Sequence, residues 1–281
     1  MKIGISTFPT DYSPDIALIG RRAEELGFES LWVPEHAVLP AAVATSWPGS
    51  DDGVIPRVYA DIADPFVALS RASAVTERLK LGTAICLVPE HNPLLLAKQV
   101  ATLDMYSGGR FLFGIGAGWL REETEVMGGD FDHRWGQTRE SVLAMKELWT
   151  KTKSEYHGRF YDFPAVYSFP RPVQRPHPPV LLGGMAANVF RRVVAWGDGW
   201  LPNRVTPDEV REGRLTLDKL ANDAGRDPAS IEITVSGQPP DGELIEQYED
   251  AGAVRVVVRL AGMEEDQTLE QVDRIAEAVL G

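Results

Sequence analysis

The sequence predicts an α/β protein, a (β/α)8 TIM barrel with insertions at the C-terminal face of its strands, formed by residues 1–281 as a single domain. Three observations predict it. Short apolar runs alternate with helix-period stretches along the whole chain. The runs are continuous rather than strictly alternating, as a parallel sheet buried on both faces requires. Eight such strand–helix units fit into 281 residues, which suits a closed barrel better than a doubly wound open sheet.

The elements follow in order. Lys2 to Phe8 alternates β-branched residues and stops at Pro9. From Pro14, Ile16, Ile19, Ala23 and Leu26 fall at helical steps, and Gly27 closes the run. Ser30 to Val33 is a short apolar strand, followed by a polar stretch, Ala37 to Ala63, rich in Pro, Gly and Asp. Pro65 opens a helix through Val75, Leu79 to Leu87 reads as one buried strand, and Pro93 to Tyr106 as a helix. Arg110 to Ile115 is a strand, with helices near Leu120 to Met127 and Trp135 to Thr150. Glu155 to Pro179 carries six prolines, at 164, 170, 172, 176, 178 and 179, which forbid a long helix or a central strand. Val180 to Leu182, Trp200 to Pro202, Ile231 to Val235 and Val254 to Leu260 are the remaining strands. Helices at about Ala186 to Ala195, Pro207 to Ala224, Gly242 to Ala251 and Thr268 to Val279 follow them.

Composition narrows the function classes. Twenty-eight Lys and Arg against 41 Asp and Glu give a formal charge of −13, which argues against nucleic acid or an anionic membrane as the main partner. No apolar run reaches the roughly 18 residues of a membrane span, and the first residues lack the apolar core of a signal peptide. A soluble cytoplasmic protein acting on a small-molecule substrate is the expectation. One cysteine excludes an internal disulfide and a Cys-based zinc site, and the histidines form no pair at metal-ligand spacing, so no metal is expected. Cys86, in an apolar run, reads as an inert buried thiol.

A (β/α)8 barrel carries its active site where the strands end. That selects Phe8, Glu35 and His36, the run Ala84 to Leu87, Gly116 to Trp119, Gly183-Gly184 and Pro202-Asn203. Both long insertions, Ala37 to Ala63 and Glu155 to Pro179, are expected to leave from this face and build a mobile substrate vestibule. His36 can shuttle a proton near neutral pH or anchor the long loop, and its position leaves both open. Glu35 can orient its ring or face solvent, and His91 reads as capping or exposed. The glycines of Gly114-Ile-Gly116-Ala-Gly118 can turn the chain sharply and leave room for a flat ring. Gly183-Gly184 stands between a strand and a helix start, where free N–H groups attract phosphate. Trp32, Trp47, Trp119 and Trp200 lie near strand ends and serve either as walls around an aromatic cofactor or as core packing.

The stretch RLKLGTAICLVPEHNPLLLAKQVATLDMYSGGRFLFGIGAGWLREETEVMG resembles the bacterial luciferase-like superfamily, in its coenzyme F420-dependent oxidoreductase branch. LWVPEH, PRPVQRPHPPVLLGG and AWGDGWLPN extend the resemblance over nearly the whole chain. It implies a flavin or deazaflavin over the strand ends and commonly a homodimer. By the same resemblance His36, preceded by Glu35, is the active-site histidine. Ala84-Ile85 is a non-proline cis peptide behind the cofactor ring, and Gly183, Gly184 and Met185 hold the phosphate through backbone N–H groups. Phe8, Gly116 and Trp119 complete the cofactor-binding set. Two departures bear on chemistry. Ala117 stands where flavin enzymes of the superfamily place a phosphate-contacting Arg, which favours coenzyme F420 over FMN. Trp119 stands where the sugar-phosphate dehydrogenases place an acid, and Glu122 and Glu123 need a different geometry to replace it. The expected function is hydride transfer between coenzyme F420 and a small organic substrate. The alternatives are an FMN-dependent monooxygenase and a non-catalytic flavin- or deazaflavin-binding protein.

Overall fold

A computed structural model describes residues 1–261 and 265–281. The order is β1 (Lys2–Ser6), α1 (Ile16–Leu26), β2 (Ser30–Val33), α2 (Val58–Asp61), α3 (Pro65–Ser73), β3 (Lys80–Thr83), β4 (Cys86–Leu87) and α4 (Pro93–Tyr106). Next come β5 (Phe111–Gly116), α5 (Arg121–Val126), α6 (Arg134–Thr150), β6 (Ser154–His157), β7 (Asp162–Val166), β8 (Val180–Gly183) and α7 (Val189–Trp196). The chain ends with β9 (Gly199–Leu201), α8 (Pro207–Asp223), β10 (Glu232–Gln238), α9 (Gly242–Asp250), β11 (Arg255–Arg259) and α10 (Glu265–Val279).

The parallel order β1-β2-β3-β5-β8-β9-β10-β11 closes where β11 pairs with β1, Lys2 opposite Arg255. This is the predicted (β/α)8 barrel. The helices start where the sequence marks them. Asp64 accepts from the Val67 N–H at 2.8 Å, Asn92 from the Leu94 N–H at 3.0 Å, and each precedes a proline that opens the helix. Thr206 and Glu209 close a reciprocal capping box on α8.

The core has two layers. The larger lies between sheet and helices, and the smaller fills the barrel lumen with Trp32, Leu112, Leu181, Leu201 and Val257. Trp32 is wholly buried there and donates its indole N–H to Ser30 Oγ at 2.8 Å. Gly82 makes room for it, since a Cβ at that position would lie 2.2 Å from the indole.

Two expectations about the elements are corrected. Leu79 to Leu87 is not one strand: β3 ends at Thr83, the Ala84-Ile85 peptide is cis, and β4 resumes at Cys86 against β5. The Glu155 to Pro179 insertion does not belong to the C-terminal face. It joins the end of α6 to the start of β8, and a helix-to-strand connection lies at the opposite end of the barrel because the helices run against the strands. Its antiparallel hairpin β6–β7 folds back along α6, where Glu140 accepts from the Phe160 N–H at 2.7 Å. The return segment crosses the strand starts, with Gln174 donating to the Phe111 carbonyl at 2.7 Å. A cavity of about 340 Å³ opens beneath it, lined by Lys80, Arg110, Arg175 and Arg255 among others. Arg255 is tied to Glu29 by two 2.8 Å contacts, and Arg110 caps backbone carbonyls including that of Leu79 at 2.6 Å.

Candidate active site

At the C-terminal ends of the strands the chain gathers aromatic rings around one imidazole. The first insertion carries the short helix α2, which sets Tyr59 over His36 with ring centres 4.9 Å apart. Trp119, just past β5, lies 6.0 Å from the same imidazole. Phe8, beyond β1, and Trp47, from the insertion, meet Tyr59 edge-on at 5.6 and 5.7 Å. Edge-to-face contacts between such rings hold an apolar wall in place without filling the space in front of it. The insertion is tied down by Glu122 of α5, which accepts from the Ala44 and Thr45 N–H groups at 2.6 and 3.1 Å. Those backbone donors, Ala44 first, lower its carboxyl to about 2.

His36 is buried and its ring is fixed by Glu123, not by Glu35. The His36 Nδ1–H donates to Glu123 Oε2 at 2.6 Å, and the Glu123 side chain is wholly buried. A carboxylate only accepts, so the proton of the neutral ring sits on Nδ1 and Nε2 keeps its lone pair. The sequence alone offers Glu123 only as a replacement for an acid at position 119, not as the partner of His36. Its position on the first turn of α5, one helical face from Trp119, was the signal available. Glu35 neither orients His36 nor faces solvent. It accepts from the Leu87 N–H at 2.6 Å and from His91 Nε2–H at 2.9 Å, which pins β4 to the end of β2. Burial raises the Glu35 carboxyl, but His91, the Leu87 amide and the Cys86 thiol more than offset it, and it ends below its usual range. His91 is therefore no cap: burial lowers it, and the Glu35 contact raises it further the other way. Asn92 performs the capping. Cys86 is buried, and burial, then the Glu35 charge, pushes its thiol well up, as an inert thiol requires. Among the described residues, Glu35, Cys86 and His91 are a triple with metal-compatible spacing, and their polar atoms are already paired with one another.

A third acid closes the cluster. Glu90, in the turn Val88–Glu90, is buried and receives the Thr124 hydroxyl on Oε1 at 3.2 Å. Burial, then the charges of Glu123 and Glu35, pushes its carboxyl up to about 9.

The back wall and the loop beyond it come from the predicted residues. The cis bond falls at Ala84-Ile85, in the expected register. The Ile85 side chain lies on Gly116 and Gly183, where a Cβ would come within 2.0 and 2.9 Å of it. The space at Gly116 is thus taken by Ile85 rather than left open for a ring. Gly184 has φ of +91°, a conformation suited to glycine, and a Cβ there would meet nothing within 4 Å. Met185 follows, 49% exposed, and Ala186 to Asn188 are exposed in turn before α7 begins at Val189. Asn188 makes no side-chain cap; the Gly184 N–H is spent on the Leu201 carbonyl at 3.3 Å and the Val189 N–H on the Ala186 carbonyl at 2.7 Å, so the donors facing this loop are those of Met185 to Asn188 rather than of Gly183 and Gly184. Trp200 is buried against Phe190 and anchors this loop by donating to the Gly184 carbonyl at 2.9 Å. Of the four tryptophans weighed as walls, Trp47 and Trp119 stand in the site, while Trp32 and Trp200 are core.

Two cations near the α7 start carry no signal in the sequence. Arg134 opens α6, and Arg192, in the first turn of α7, stacks on Trp135 at 4.1 Å. Burial, then the charge of Arg134, lowers the Arg192 guanidinium, and Arg134 Nε and Arg192 Nη1 are buried without partners. Their spacing in sequence gives no hint of this meeting.

A barrel with a ring-lined mouth and a buried acid–imidazole pair over its strand ends defines the class, an enzyme with its site at the C-terminal face of the barrel. The family described as luciferase-like monooxygenase matches residues 6–269, and the chain belongs to it. An uncharacterised protein of Mycobacterium tuberculosis is 34% identical over 278 residues, 98% of each chain. The F420-dependent glucose-6-phosphate dehydrogenase of Amycolatopsis mediterranei is 29% identical over 252 residues, 84% of this chain and 69% of its own. The crystal structure of the monooxygenase RslO1 from Streptomyces bottropensis superposes with a TM-score of 0.80, covering 100% of this chain and 99% of its own at 22% identity. Among the described residues no helix is long and apolar enough to cross a membrane.

Proposed function

We propose that this chain moves a hydride between the deazaflavin coenzyme F420 and a small alcohol- or carbonyl-bearing organic substrate. The observation that carries the reading is His36, fixed through Nδ1 by buried Glu123 with Nε2 left free at an aromatic-walled barrel mouth. The fit of the cofactor rests on two features: open space at Gly184 beside the uncapped α7 start, and a ring wall formed by Phe8, Tyr59 and Trp119. Met185 to Asn188, beyond Gly183-Gly184, would hold its phosphate through backbone N–H groups, and Ala84-Ile85 would back its ring. When bound, the deazaflavin supplies a ring carbon that takes or gives hydride. His36 Nε2 takes the hydroxyl proton of an alcohol substrate, or returns it to a carbonyl, and Glu123 stabilises the imidazolium that results. The surrounding rings exclude water from that proton.

Ala117, buried where a phosphate-contacting Arg would indicate FMN, supports F420. Arg134 and Arg192, each with one buried nitrogen lacking a partner, favour a second reading, an FMN-dependent monooxygenase, since they can supply the missing positive charge. Fluorescence titration of the purified chain with F420 and with FMN separates the two. Saturable F420 binding with weak FMN binding supports the proposal, and tight FMN binding without an F420 response refutes it. Exposed Val67, Leu95 and Tyr106 on α3 and α4 support pairing with a second copy, which sedimentation velocity tests.

A further inference from the structure

The acids behind His36 do not balance as drawn. Glu123 is wholly buried, gives Oε2 to His36, and has no donor on Oε1. Glu90 is 7% exposed, has no donor on Oε2, and on Oε1 meets only the Thr124 hydroxyl at 3.2 Å, whose one proton it shares with the Leu120 carbonyl at 3.1 Å. Thr124, which reaches Glu90, follows Glu123 on α5, and the Glu123 charge acts on the Glu90 carboxyl. A buried carboxylate oxygen with no donor carries its full desolvation penalty. One proton placed between them converts two unpaired acceptors into a donor and an acceptor.

We infer that Glu90 is a neutral carboxylic acid in the resting protein and donates its O–H to Glu123, making Glu90 a positioning residue that tunes His36 through Glu123. The charges that act on Glu90 are those of Glu123 and Glu35, and Thr124 opposes them. Glu35 is itself shared between His91, Leu87 and Cys86, and Asp64 adds its charge to His91 and Cys86. No cation among these groups is left over to neutralise Glu90, and the upward push on its carboxyl already described agrees with a retained proton. The consequence lies in proton affinity. With Glu90 donating, Glu123 stays a carboxylate but a weaker base, so it supports an imidazolium at His36 without drawing the Nδ1 proton away. The proton on Glu90 stays where it is through turnover. Its role toward catalysis rests on the reading of His36 as the proton handler.

The test uses the cofactor-free chain and so stands apart from that reading. Carboxyl carbons of glutamate are labelled with 13C and imidazoles with 15N, and both are titrated by NMR in wild type, Glu90→Gln and Glu90→Leu. The expected result is a glutamate carboxyl that titrates several pH units above its ordinary value and disappears in Glu90→Gln. Glu90→Gln, a permanent neutral donor, should leave the His36 midpoint within about 0.3 units, whereas Glu90→Leu should raise it by about one unit. A Glu90 carboxyl that titrates in the ordinary range overturns the inference, as does a His36 midpoint that is the same in Glu90→Leu. If Glu90→Leu fails to fold, the carboxyl titration and Glu90→Gln decide alone.

Discussion

Replacing Glu90 with Gln should stabilise the protein, and the gain should grow with pH. The carboxyl ordinarily titrates at 4.5 and here is raised to about 9. A raised carboxyl means the folded chain holds a proton that the unfolded chain releases. Stability is therefore full below the ordinary value and falls as pH rises toward about 9, by about 1.4 kcal/mol per pH unit. Between pH 4.5 and 7 that amounts to at most about 3 kcal/mol. The amide of Gln keeps the shape and a donor for Glu123 without having to capture a proton. Urea unfolding of both proteins at pH 5, 6, 7 and 8 reads the difference. The gap should be small at pH 5 and should open by roughly 2–3 kcal/mol by pH 7 and further at pH 8. Parallel stability curves, with a gap constant in pH, would refute the protonated-acid reasoning.

Three further outcomes follow from the same site. His36→Ala should lower single-turnover reduction by roughly a hundredfold or more, with F420 affinity within a few-fold of wild type. A large loss of affinity with normal chemistry would make His36 a ring-binding residue instead. Gly184→Ala meets no atom within 4 Å but sits at φ of +91°, so it should cost about 1 kcal/mol of stability, read by thermal melting. Its cofactor affinity should fall by tenfold or more, and unchanged affinity would move the phosphate elsewhere. Hydrogen exchange should show Ala37 to Ala63 exchanging faster than the barrel strands and slowing when cofactor is added. The hairpin β6–β7, at the far end of the fold, should be indifferent to cofactor.

The barrel was legible because its signals are local. Apolar runs such as Val180 to Leu182 and proline-opened helices such as Pro93–Tyr106 declare themselves in a few residues. His36 was legible for a related reason, since a strand end in a parallel barrel points to one face. What stayed hidden depends on meetings across the chain. Glu123 lies 87 residues from His36, and nothing in the sequence says that α5 turns it inward rather than Glu122. The sequence leaves Glu35 between its neighbour His36 and solvent, whereas β4 and His91 hold it because both stand at hydrogen-bond distance after the chain turns at Ala84-Ile85. The proline-rich segment was placed on the wrong end because its length suggested a functional loop, while its place between a helix and the following strand already fixed the opposite face. Trp32 and Trp200 show the limit of residue type as evidence: both indoles are buried, and both N–H groups are used by the fold.

The most direct test of the account is a crystal structure of the chain with coenzyme F420 bound. The expected result is the deazaflavin ring between the Ala84-Ile85 wall and the aromatic set of Tyr59 and Trp119, with His36 Nε2 at its edge and the phosphate on the N–H groups of Met185 to Asn188. A cofactor seated instead in the basic cavity around Lys80, Arg110, Arg175 and Arg255, or a ring out of reach of His36, would contradict it.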